Sequence, residues 1–174
     1  MIFYSDDTIL IRNMIESDVK ALAGGEVAQG WGDTTEKHKT RLRDQAAGLC
    51  TALVAEYCGQ LAGYINVYHR AEHGPFAGKG WPEIVDFGVL EKFRRNGIGG
   101  KLMDAAEKIA GEESSIVGIG VGLHSGYGSA QRMYIKRGYV PDGSGVWYRD
   151  EVCPPYGDCR NDDDLVLYMS QKLR

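Results

Sequence analysis

The stretch from Pro82 to Lys101, PEIVDFGVLEKFRRNGIGGK, most constrains what this chain can fold into. It opens with an apolar run of strand length, formed by Ile84, Val85, Phe87 and Val89. A charged turn from Glu91 to Asn96 ends this run, and three of the next four residues are glycine. The pattern predicts a strand, a turn and the start of a helix, with room for a ligand where the glycines lie.

A helix is predicted directly after the turn. Its apolar residues recur at helical spacing and are Ile98, Leu102, Ala105, Ala106, Ile109 and Ala110. Gly111 is expected to end it. The unpaired N–H groups and the positive dipole end of this helix would lie beside Arg94, Arg95 and Lys101. Such an arrangement suits a phosphate or pyrophosphate.

Two common phosphate-binding motifs do not fit this spacing. The dinucleotide fingerprint would need a third glycine at Leu102, and the P-loop would need a glycine at Arg95 and a hydroxyl residue at Leu102. The pattern that remains is Arg-x-x-Gly-x-Gly, made by Arg94, Gly97 and Gly99. It resembles the pyrophosphate-binding signature of the GNAT superfamily of acyl-CoA-dependent N-acetyltransferases. The alternative is a glycine-rich turn that only joins a strand to a helix.

A second stretch, from Leu123 to Gly143, resembles the second half of the GNAT signature. In that half a strand leads to a helix that ends in Tyr-x-x-x-Gly-Phe or Gly-Tyr, and here the ending runs from Tyr134 to Tyr139. The position three residues before Ala130, often Asn in the family, is Tyr127. Together the two stretches carry the resemblance in detail over residues 80 to 143.

The resemblance implies a single α/β domain over residues 1–174. Its mixed, mostly antiparallel central sheet would be flanked by helices, with a splayed strand pair for acyl-CoA. The implied reaction is direct transfer of an acetyl group from acetyl-CoA to a primary amine of a small molecule or peptide, without a metal. Backbone groups of Phe87, Gly88 and Val89 would bind the pantetheine arm and polarise the thioester carbonyl. The amides of residues 95–100 would bind the pyrophosphate, and the cofactor-binding turn as a whole comprises Arg94, Arg95, Asn96, Gly97, Ile98, Gly99, Gly100 and Lys101.

An amine acceptor must lose a proton before it attacks. With a pKa near 10.4, an alkylamine is about 3.4 units from its neutral form at pH 7, which withholds about 4.6 kcal/mol of reactivity. Glu83, six residues before Val89, resembles the general-base glutamate of the histone-acetylating branch of the family. It would need a raised pKa or a relaying water. Asp86 is the second candidate, expected on the opposite face of the strand. The alternative for either acid is a surface strand residue.

The departing CoA thiolate needs a proton or a hydrogen bond, and Tyr134 resembles the family's general acid at this helix position. A phenol suits that role because it stays protonated at neutral pH. The alternative is core packing, since Tyr134 lies at helical spacing with Ala130, Met133 and Arg137.

In the family, the loop between the first two helices and the loop before the last strand usually frame the acceptor. Here these are residues 24–33, with Trp31, and residues 143–164, with Trp147 and Tyr156. The acids of the second loop are Asp158, Asp162, Asp163 and Asp164. Aromatic walls together with acids would suit a cationic amine. The alternatives are a Trp31 that covers an edge of the core and a solvated acidic turn.

The remaining elements follow from periodicity and turn residues. In the first half we expect a strand at Thr8–Arg12, a helix at Glu16–Ala23 that Gly24 and Gly25 stop, a flexible segment to Asp33, a polar helix from Thr34 to about Ala47, and an antiparallel hairpin of Leu49–Tyr57 with Leu61–Tyr68. In the second half we expect a strand at Ser115–Leu123, a helix at Ser129–Arg137, an extended piece at Tyr139, a turn-rich stretch from Pro141 to Asp163, and a strand at Leu165–Met169.

Composition argues against several other classes of function. A net charge of −4 gives no basic surface of the kind that nucleic-acid binding requires. The N-terminus carries acids where a signal peptide is basic, and no apolar run reaches membrane-spanning length. We therefore expect a cytoplasmic protein without nucleic-acid or membrane partners. The four cysteines form no Cys-x-x-Cys pair and are expected to be free thiols. His69 and His73 have metal-ligand spacing for a helix, but Gly74 and Pro75 argue against a helix there.

Other interpretations stay open. A GNAT-like domain can bind acyl-CoA as a sensor or interaction module without turnover, because fold alone does not establish chemistry. A nucleotide-binding protein is disfavoured by the two motif mismatches. An exposed edge strand could also pair two chains into a homodimer.

Overall fold

The computed structural model of the chain describes residues 1–173. These residues form two units. The first unit comprises Met1–Tyr68 and Val85–Ile109, and the second comprises His69–Ile84 and the chain from Ala110 onward. Each unit is therefore built from two separate segments of sequence. The expectation of a single domain stays a prediction.

The first unit holds four complete strands, two complete helices and parts of two further elements. The complete elements are β1 (Ile2–Ser5), β2 (Ile9–Asn13), α1 (Glu16–Ala28), α2 (Thr35–Ala46), β3 (Cys50–Tyr57) and β4 (Gln60–Tyr68). The shared elements are β5 (Glu83–Val89), which belongs here from Val85, and α3 (Ile98–Glu113), which belongs here up to Ile109. Strands β1 to β4 pair as antiparallel neighbours in sequence order, and β5 lies next to β4. Strand β1 was not among the predicted elements.

The predicted hairpin of β3 and β4 is confirmed. Its turn residues Cys58 and Gly59 have φ angles of 48° and 75°, and two positive φ angles are typical of the two-residue turns that match strand twist. Leu53 and Ile65 face each other across the hairpin, and both are fully buried. The largest fully buried side chains of this unit include Ile11, Met14, Leu22, Leu53, Ile65, Ile98 and Leu102.

Helix α1 is longer than predicted, because Gly24 and Gly25 do not end it. The helix continues to Ala28. Gly30, two residues later, has φ = 87° and turns the chain away from the helix. The N–H of Gly30 donates to the carbonyl of Val27 at 3.0 Å, and the N–H of Trp31 donates to the carbonyl of Glu26 at 3.0 Å. This pair of bonds is a Schellman motif. The prediction of a flexible segment was therefore wrong for residues 24–28.

Tertiary packing explains why a glycine lies inside α1. A Cβ added to Gly25 would lie 2.7 Å from Cδ1 of the buried Leu90, so only glycine lets the helix approach this side chain. The general cost of a glycine inside a helix is about 1 kcal/mol, which such packing can offset.

The second unit contains the predicted strand–helix–strand order and a short extra strand. Its elements are the first two residues of β5, β6 (Ile116–Gly122), α4 (Gly128–Arg137), β7 (Val140–Tyr148), β8 (Glu151–Val152) and β9 (Leu165–Lys172). The strand order is β5-β6-β9-β7-β8. Glu83 and Ile84 pair in parallel with Gly118 and Ile119, whereas the other strand pairs of this unit are antiparallel. The predicted mixed, mostly antiparallel sheet is thus confirmed.

Two boundaries in the second unit differ from the prediction. The stretch from Pro141 to Asp163 was expected to be rich in turns, but its residues up to Tyr148 belong to strand β7. The pairing register of β7 with β9 shifts between Pro141 and Val146. Gly143 and Gly145 have φ angles of 88° and 90° inside this irregularity, which explains their turn-like sequence signal. Helix α3 also passes Gly111, which was expected to end it, and continues to Glu113.

Candidate functional site

The turn between β5 and α3 carries the predicted cofactor residues, and its backbone is left-handed at two points. Arg95 has φ = 66° and Gly97 has φ = 79°. The side-chain amide of Asn96 donates to the carbonyl oxygens of Phe93 (3.1 Å) and Arg94 (3.4 Å), which holds the turn closed. An added Cβ on Gly97 would meet no atom within 4 Å, so the backbone conformation rather than crowding favours glycine there.

The first turn of α3 leaves backbone donors at this turn. The N–H of Lys101 donates to the carbonyl of Gly97 at 3.2 Å, so the hydrogen-bonded helix starts at Gly97. The N–H groups of Ile98, Gly99 and Gly100 belong to the first helical turn, where no acceptor within the helix exists. These donors and the positive dipole end of a 16-residue helix can together bind an anion.

Three predicted cationic residues surround this turn in sequence, and they differ in their contacts. Arg94 and Arg95 are exposed. Nε of Arg94 donates to the carbonyl of Val89 at 3.3 Å, which ties the turn to the end of β5. The Lys101 ammonium lies 4.4 Å from the ring centroid of Tyr4. Nη1 of Arg94 also lies 3.4 Å from the carboxylate of Glu91. The exposed Arg95 is therefore the better placed cation for a ligand at the turn.

Strands β4 and β5 approach closely at two glycines. A Cβ on Gly63 would lie 2.6 Å from the carbonyl oxygen of Gly88. A Cβ on Gly88 would lie 2.9 Å from both Cζ and Oη of Tyr64. Side chains at these positions would push the strands apart. The segment from Phe87 to Val89, predicted to bind the pantetheine arm, therefore has a tightly placed backbone.

Asp86 lies in β5 with φ = 52°, an uncommon conformation for a residue with a side chain. Its carboxylate forms an ion pair with Nε of Arg41 at 2.6 Å, and Arg41 also donates to the hydroxyl of Tyr68. Side chains alternate between the two faces of a sheet only where the backbone is extended. The expectation that Asp86 lies on the opposite face from Glu83 assumed this alternation, and the backbone at Asp86 interrupts it. The guanidinium of Arg41 therefore occupies the Asp86 carboxylate.

Glu83, in the second unit, is a half-buried carboxyl group with a perturbed pKa. Its backbone is held by the parallel register with Gly118 of β6. Burial, with the negative charge of Asp150 as the second cause, raises the pKa of Glu83 from 4.5 to about 7. A carboxylate with this pKa can both accept and release a proton near neutral pH.

An open cleft of about 390 Å³ lies in the second unit. It is lined by His73, Arg149, Asp150, Asp163, Asp164, Val166 and Tyr168. Asp150 accepts hydrogen bonds from Nδ1 of His73 at 3.0 Å and from the N–H of Gly74 at 2.9 Å. Burial and the charge of Glu83 raise the pKa of Tyr168 to about 12. The charge of Glu83 contributes to the raised pKa of Tyr168, and the charge of Asp150 contributes to the raised pKa of Glu83. Since Asp150 and Tyr168 both line the cleft, the Glu83 carboxylate lies near it.

Tyr134 is a buried residue of α4. Its ring centroid lies 5.8 Å from that of Tyr139, and 4% of its surface is exposed. Burial, with a smaller contribution from Tyr127, raises the pKa of the Tyr134 phenol above its ordinary value of 10. The phenol is therefore protonated at neutral pH.

The three aromatic residues predicted near the acceptor lie in different surroundings. Trp31, directly after the Schellman motif of α1, is 40% exposed. Trp147 lies on β7, where its ring centroid is 5.5 Å from that of Tyr168, so it is close to the cleft. Tyr156 is fully exposed. Asp163, one of the predicted acids, accepts hydrogen bonds from the Tyr127 hydroxyl and from His124.

Sequence reasoning missed two residues that determine the environment of Glu83. Asp150 and Tyr168 are far from Glu83 in the chain, and neither belongs to a motif. Only the fold brings them near it. Asp150 did lie within the predicted acceptor loop, but the aspartates singled out there were Asp158 and residues 162–164.

Other predicted features can be placed as well. His69 and His73 contact different carboxylates, Glu113 and Asp150. Within residues 1–173, no group of three or more His, Cys, Asp or Glu side chains could hold a metal ion. The same part of the chain has no helix with the length and apolarity needed to cross a membrane. All four cysteines are free thiols, without a disulfide bond.

The sequence of this chain matches one protein-family model. The family model described as the acetyltransferase (GNAT) family matches residues 18–139, which is more than half of the chain. The chain belongs to the GNAT family of acetyltransferases. The predicted family is therefore confirmed, and with it the predicted acetyl-CoA-dependent N-acetyltransferase activity. Acetyl-CoA is the acyl donor and an amine is the acceptor, as the sequence predicted.

Solved structures of GNAT acetyltransferases share the fold. One is a Salmonella typhimurium enzyme that modifies the N-terminal serine of the 50S ribosomal subunit protein L7/L12, with a TM-score of 0.74, 12% identity and coverage of 100% of both chains. YncA from Salmonella typhimurium, solved with acetyl-CoA, has a TM-score of 0.68 and 16% identity over 97% of this chain and 95% of its own. A ribosomal-protein-alanine N-acetyltransferase from Brucella melitensis has a TM-score of 0.66 and 20% identity over 94% of this chain and 99% of its own. A search of curated protein sequences finds no match.

Proposed function

We propose that this GNAT acetyltransferase acetylates a primary amine of a small molecule or peptide, with Glu83 as general base and Tyr134 as general acid. The observation that carries the proposal is the turn from Arg94 to Gly100 at the start of α3. Its left-handed residues and first-turn N–H groups would bind the pyrophosphate of acetyl-CoA.

The first unit would hold the donor. Acetyl-CoA supplies the activated acetyl group as a thioester. Residues 95–100 would donate backbone N–H groups to the pyrophosphate, with the exposed guanidinium groups of Arg94 and Arg95 nearby in sequence. The backbone of Phe87 to Val89 would bind the pantetheine arm and donate a hydrogen bond to the thioester carbonyl, which stabilises the negative charge that develops there.

Glu83 would accept the proton of the acceptor amine, directly or through a water. An ordinary glutamate with a pKa of 4.5 is a weak base, and the rise to about 7 makes the Glu83 carboxylate a stronger proton acceptor. The rise brings the pKa of the carboxyl group closer to the pKa near 10.4 of an alkylamine, so proton transfer from the amine to Glu83 costs less than transfer to an ordinary glutamate. Asp86, the second candidate, is held by Arg41, and this contact argues against the same role for it.

Tyr134 would donate its phenolic proton to the departing CoA thiolate. Its raised pKa keeps the phenol protonated over the working range of the enzyme, so the hydroxyl is available as a hydrogen-bond donor to the thiolate. The same rise makes the phenol a weaker acid, so a hydrogen bond contributes more than complete proton transfer. A thiol has a pKa near 8.5, so a protonated phenol nearby can assist its departure by a hydrogen bond even when full transfer does not occur.

The acceptor class is supported by the activities of two proteins that share the fold. One modifies the N-terminal serine of a ribosomal protein and another is a ribosomal-protein-alanine N-acetyltransferase. For this chain we propose only that the acceptor is an amine, carried by a small molecule or a peptide. Trp147 and the cleft beside Tyr168 are the proposed acceptor contacts, with Trp31 and Tyr156 as weaker ones. A cytoplasmic location and a homodimer stay predictions.

The test is CoA release from acetyl-CoA, measured with a thiol reagent against a panel of aminoglycosides, polyamines, amino acids and peptides with free N-termini. An enzyme-only control is needed because Cys58 and Cys159 are exposed. Release that depends on one amine class supports the proposal and identifies the acceptor chemistry. Binding of acetyl-CoA by calorimetry without release for any amine would favour a sensor module and contradict the proposal.

A further inference from the structure

A cluster of buried polar side chains in the first unit has no part in the mechanism so far. We call it the Glu26 cluster, and it consists of Glu26, Thr34, Lys37, His38 and Tyr64. The residues come from the end of α1, the start of α2 and the middle of β4. Glu26 and His38 are fully buried, and Tyr64 is 4% exposed.

Glu26 is the centre of this cluster. One of its oxygens accepts from Nε2 of His38 at 2.8 Å and from the hydroxyl of Thr34. The other accepts from the hydroxyl of Tyr64 at 2.5 Å and lies 3.4 Å from Nζ of Lys37. Burial raises the pKa of Glu26, but the hydrogen bonds from His38, Thr34 and Tyr64 and the charge of Lys37 outweigh it and lower the pKa to about 2. The carboxylate is therefore ionised and fixed by its donors.

The cluster holds the side chain of Tyr64 from three sides. Its hydroxyl donates to Glu26 and accepts from Nζ of Lys37 at 2.9 Å. Its ring meets the ring of His38 at nearly a right angle, with the centroids 4.8 Å apart. A tyrosine held by two hydrogen bonds and a ring contact has little rotamer freedom.

The held end of Tyr64 lies against the backbone of β5. A Cβ on Gly88 would be 2.9 Å from Cζ and Oη of Tyr64 and 3.1 Å from Cε1. Gly88 is the middle residue of the segment from Phe87 to Val89. The neighbouring Gly63 of β4 approaches the carbonyl of Gly88 in the same way. The position of this segment therefore depends on where the Tyr64 ring is held.

We propose that Tyr64 is a positioning residue for acetyl transfer: the Glu26 cluster holds its ring against Gly88 and thereby fixes the backbone that takes the acyl-pantetheine arm. This inference rests on the proposed function, because it concerns the donor half of the same site. It adds that residues of α1 and α2, which contribute to no motif, set the affinity for acetyl-CoA.

The first test is Tyr64→Phe, which keeps the ring and removes the hydroxyl that Glu26 and Lys37 hold. The loss of such a hydrogen bond is typically worth a factor of about 2 to 10. We expect the Kd of CoA, measured by calorimetry, and the KM of acetyl-CoA to rise by about that factor, while the KM of the amine stays unchanged. Lys37→Met, which alters a partly exposed side chain and leaves the ring in place, should change both constants in the same direction by less.

The matched control is Tyr68→Phe. Tyr68 lies on the same strand, and its hydroxyl is likewise bonded, to Arg41 and Asp44, but the three atoms nearest to a Cβ on Gly88 all belong to Tyr64. A comparable fall in Tm with an unchanged Kd for CoA is expected. If Tyr64→Phe lowers Tm like the control and leaves the Kd for CoA unchanged, Tyr64 is merely structural and the inference is overturned.

A double-mutant cycle tests the contact itself. Gly88→Ala should weaken CoA binding because its methyl group collides with Tyr64. In a Tyr64→Leu background that collision is absent, so Gly88→Ala should cost clearly less. An equal loss in both backgrounds overturns the inference. If the wild-type protein binds no CoA, the proposed function is wrong and the inference falls with it, whereas wild-type binding with additive variants overturns the inference alone.

Discussion

At the scale of single residues, the ionisation of Glu83 is the feature with the most direct consequence for the reaction. Its carboxyl group is half-buried and lies in the field of Asp150, and these two effects raise its pKa to about 7. In the proposed role of general base, Glu83 would act only when deprotonated. The rate of acetyl transfer should therefore depend on pH in the range where Glu83 titrates.

We expect kcat for a fixed amine to rise about tenfold per pH unit below about pH 7 and to level off above it. Glu83→Gln should lower kcat and remove this limb. Asp150→Asn should move the limb to lower pH, because removing that negative charge lowers the pKa of Glu83. A steady-state pH profile from pH 5.5 to 9 measures this. A limb that stays near pH 7 in Glu83→Gln would show that another group, or the amine, is responsible.

Tyr134 permits a second prediction at this scale. Tyr134→Phe keeps the ring that packs on Tyr139 and removes the proton donor. A general acid typically contributes a factor of about 100 or more, so kcat should fall by at least about tenfold with little change in the Kd of CoA. Tyr139→Phe is the matched packing control and should retain most of the activity. Unchanged turnover in Tyr134→Phe would remove Tyr134 from the mechanism.

At the scale of secondary-structure elements, two adjacent glycines of α1 differ in their surroundings. Gly24 is exposed, and an added Cβ would meet no atom within 4 Å, whereas a Cβ on Gly25 would meet Leu90 at 2.7 Å. Alanine inside a helix is favoured over glycine by about 0.8–1 kcal/mol. Gly24→Ala should therefore raise Tm by about 2–4 °C. Gly25→Ala should leave Tm at or below the wild-type value, because the methyl group displaces Leu90. Thermal unfolding followed by circular dichroism separates the two, and equal shifts would contradict the packing argument.

The turn before α3 permits a functional prediction for an element. Gly97→Ala places a side chain in a left-handed conformation, at a cost of about 1–2 kcal/mol. Gly59→Ala, in the β3–β4 hairpin with a similar φ of 75°, is the matched control. Both should lower Tm to a similar extent, but only Gly97→Ala should weaken the binding of CoA. Equal CoA affinities in calorimetry would show that the turn does not bind the pyrophosphate.

At the scale of the whole molecule, two carboxyl groups, those of Glu83 and Glu26, make the free energy of unfolding depend on pH in opposite directions. The folded pKa of Glu83 is raised above 4.5, so its contribution to the free energy of unfolding is complete below about pH 4.5 and is lost as pH rises through about 7. The folded pKa of Glu26 is lowered to about 2, so its contribution is present above about pH 4.5 and is lost as pH falls toward 2.

Glu83→Gln should therefore stabilise the protein increasingly between pH 5 and pH 8, because glutamine cannot ionise in the half-buried position. The measurement is Tm of variant and wild type at pH 5, 6.5 and 8. Glu36→Gln is the control, since Lys39 and its neighbours lower the pKa of this exposed glutamate and no such gain is expected. A Tm difference for Glu83→Gln that does not change with pH would contradict the raised pKa.

Local features of the fold and the site could be predicted from the sequence. The turn from Arg94 to Gly100, the helix after it, the β3–β4 hairpin and the helix of Tyr134 all depend on residues close together in the chain. Backbone preferences of glycine and the periodicity of apolar side chains act over a few residues. The sequence by itself therefore determined the family, the glycine-rich turn before α3 and most of the element order.

The tertiary structure decided what depends on residues distant in sequence. Helix α1 passes Gly25 because Leu90 packs there, and Asp86 is occupied because Arg41 reaches it. Glu83 acquires its pKa through burial and through Asp150. Burial and the field of a charge arise only when the chain has folded, since neighbouring residues in sequence do not set the solvent exposure of a side chain. For that reason the positions of the site residues could be proposed from the sequence, while their protonation and their partners could not.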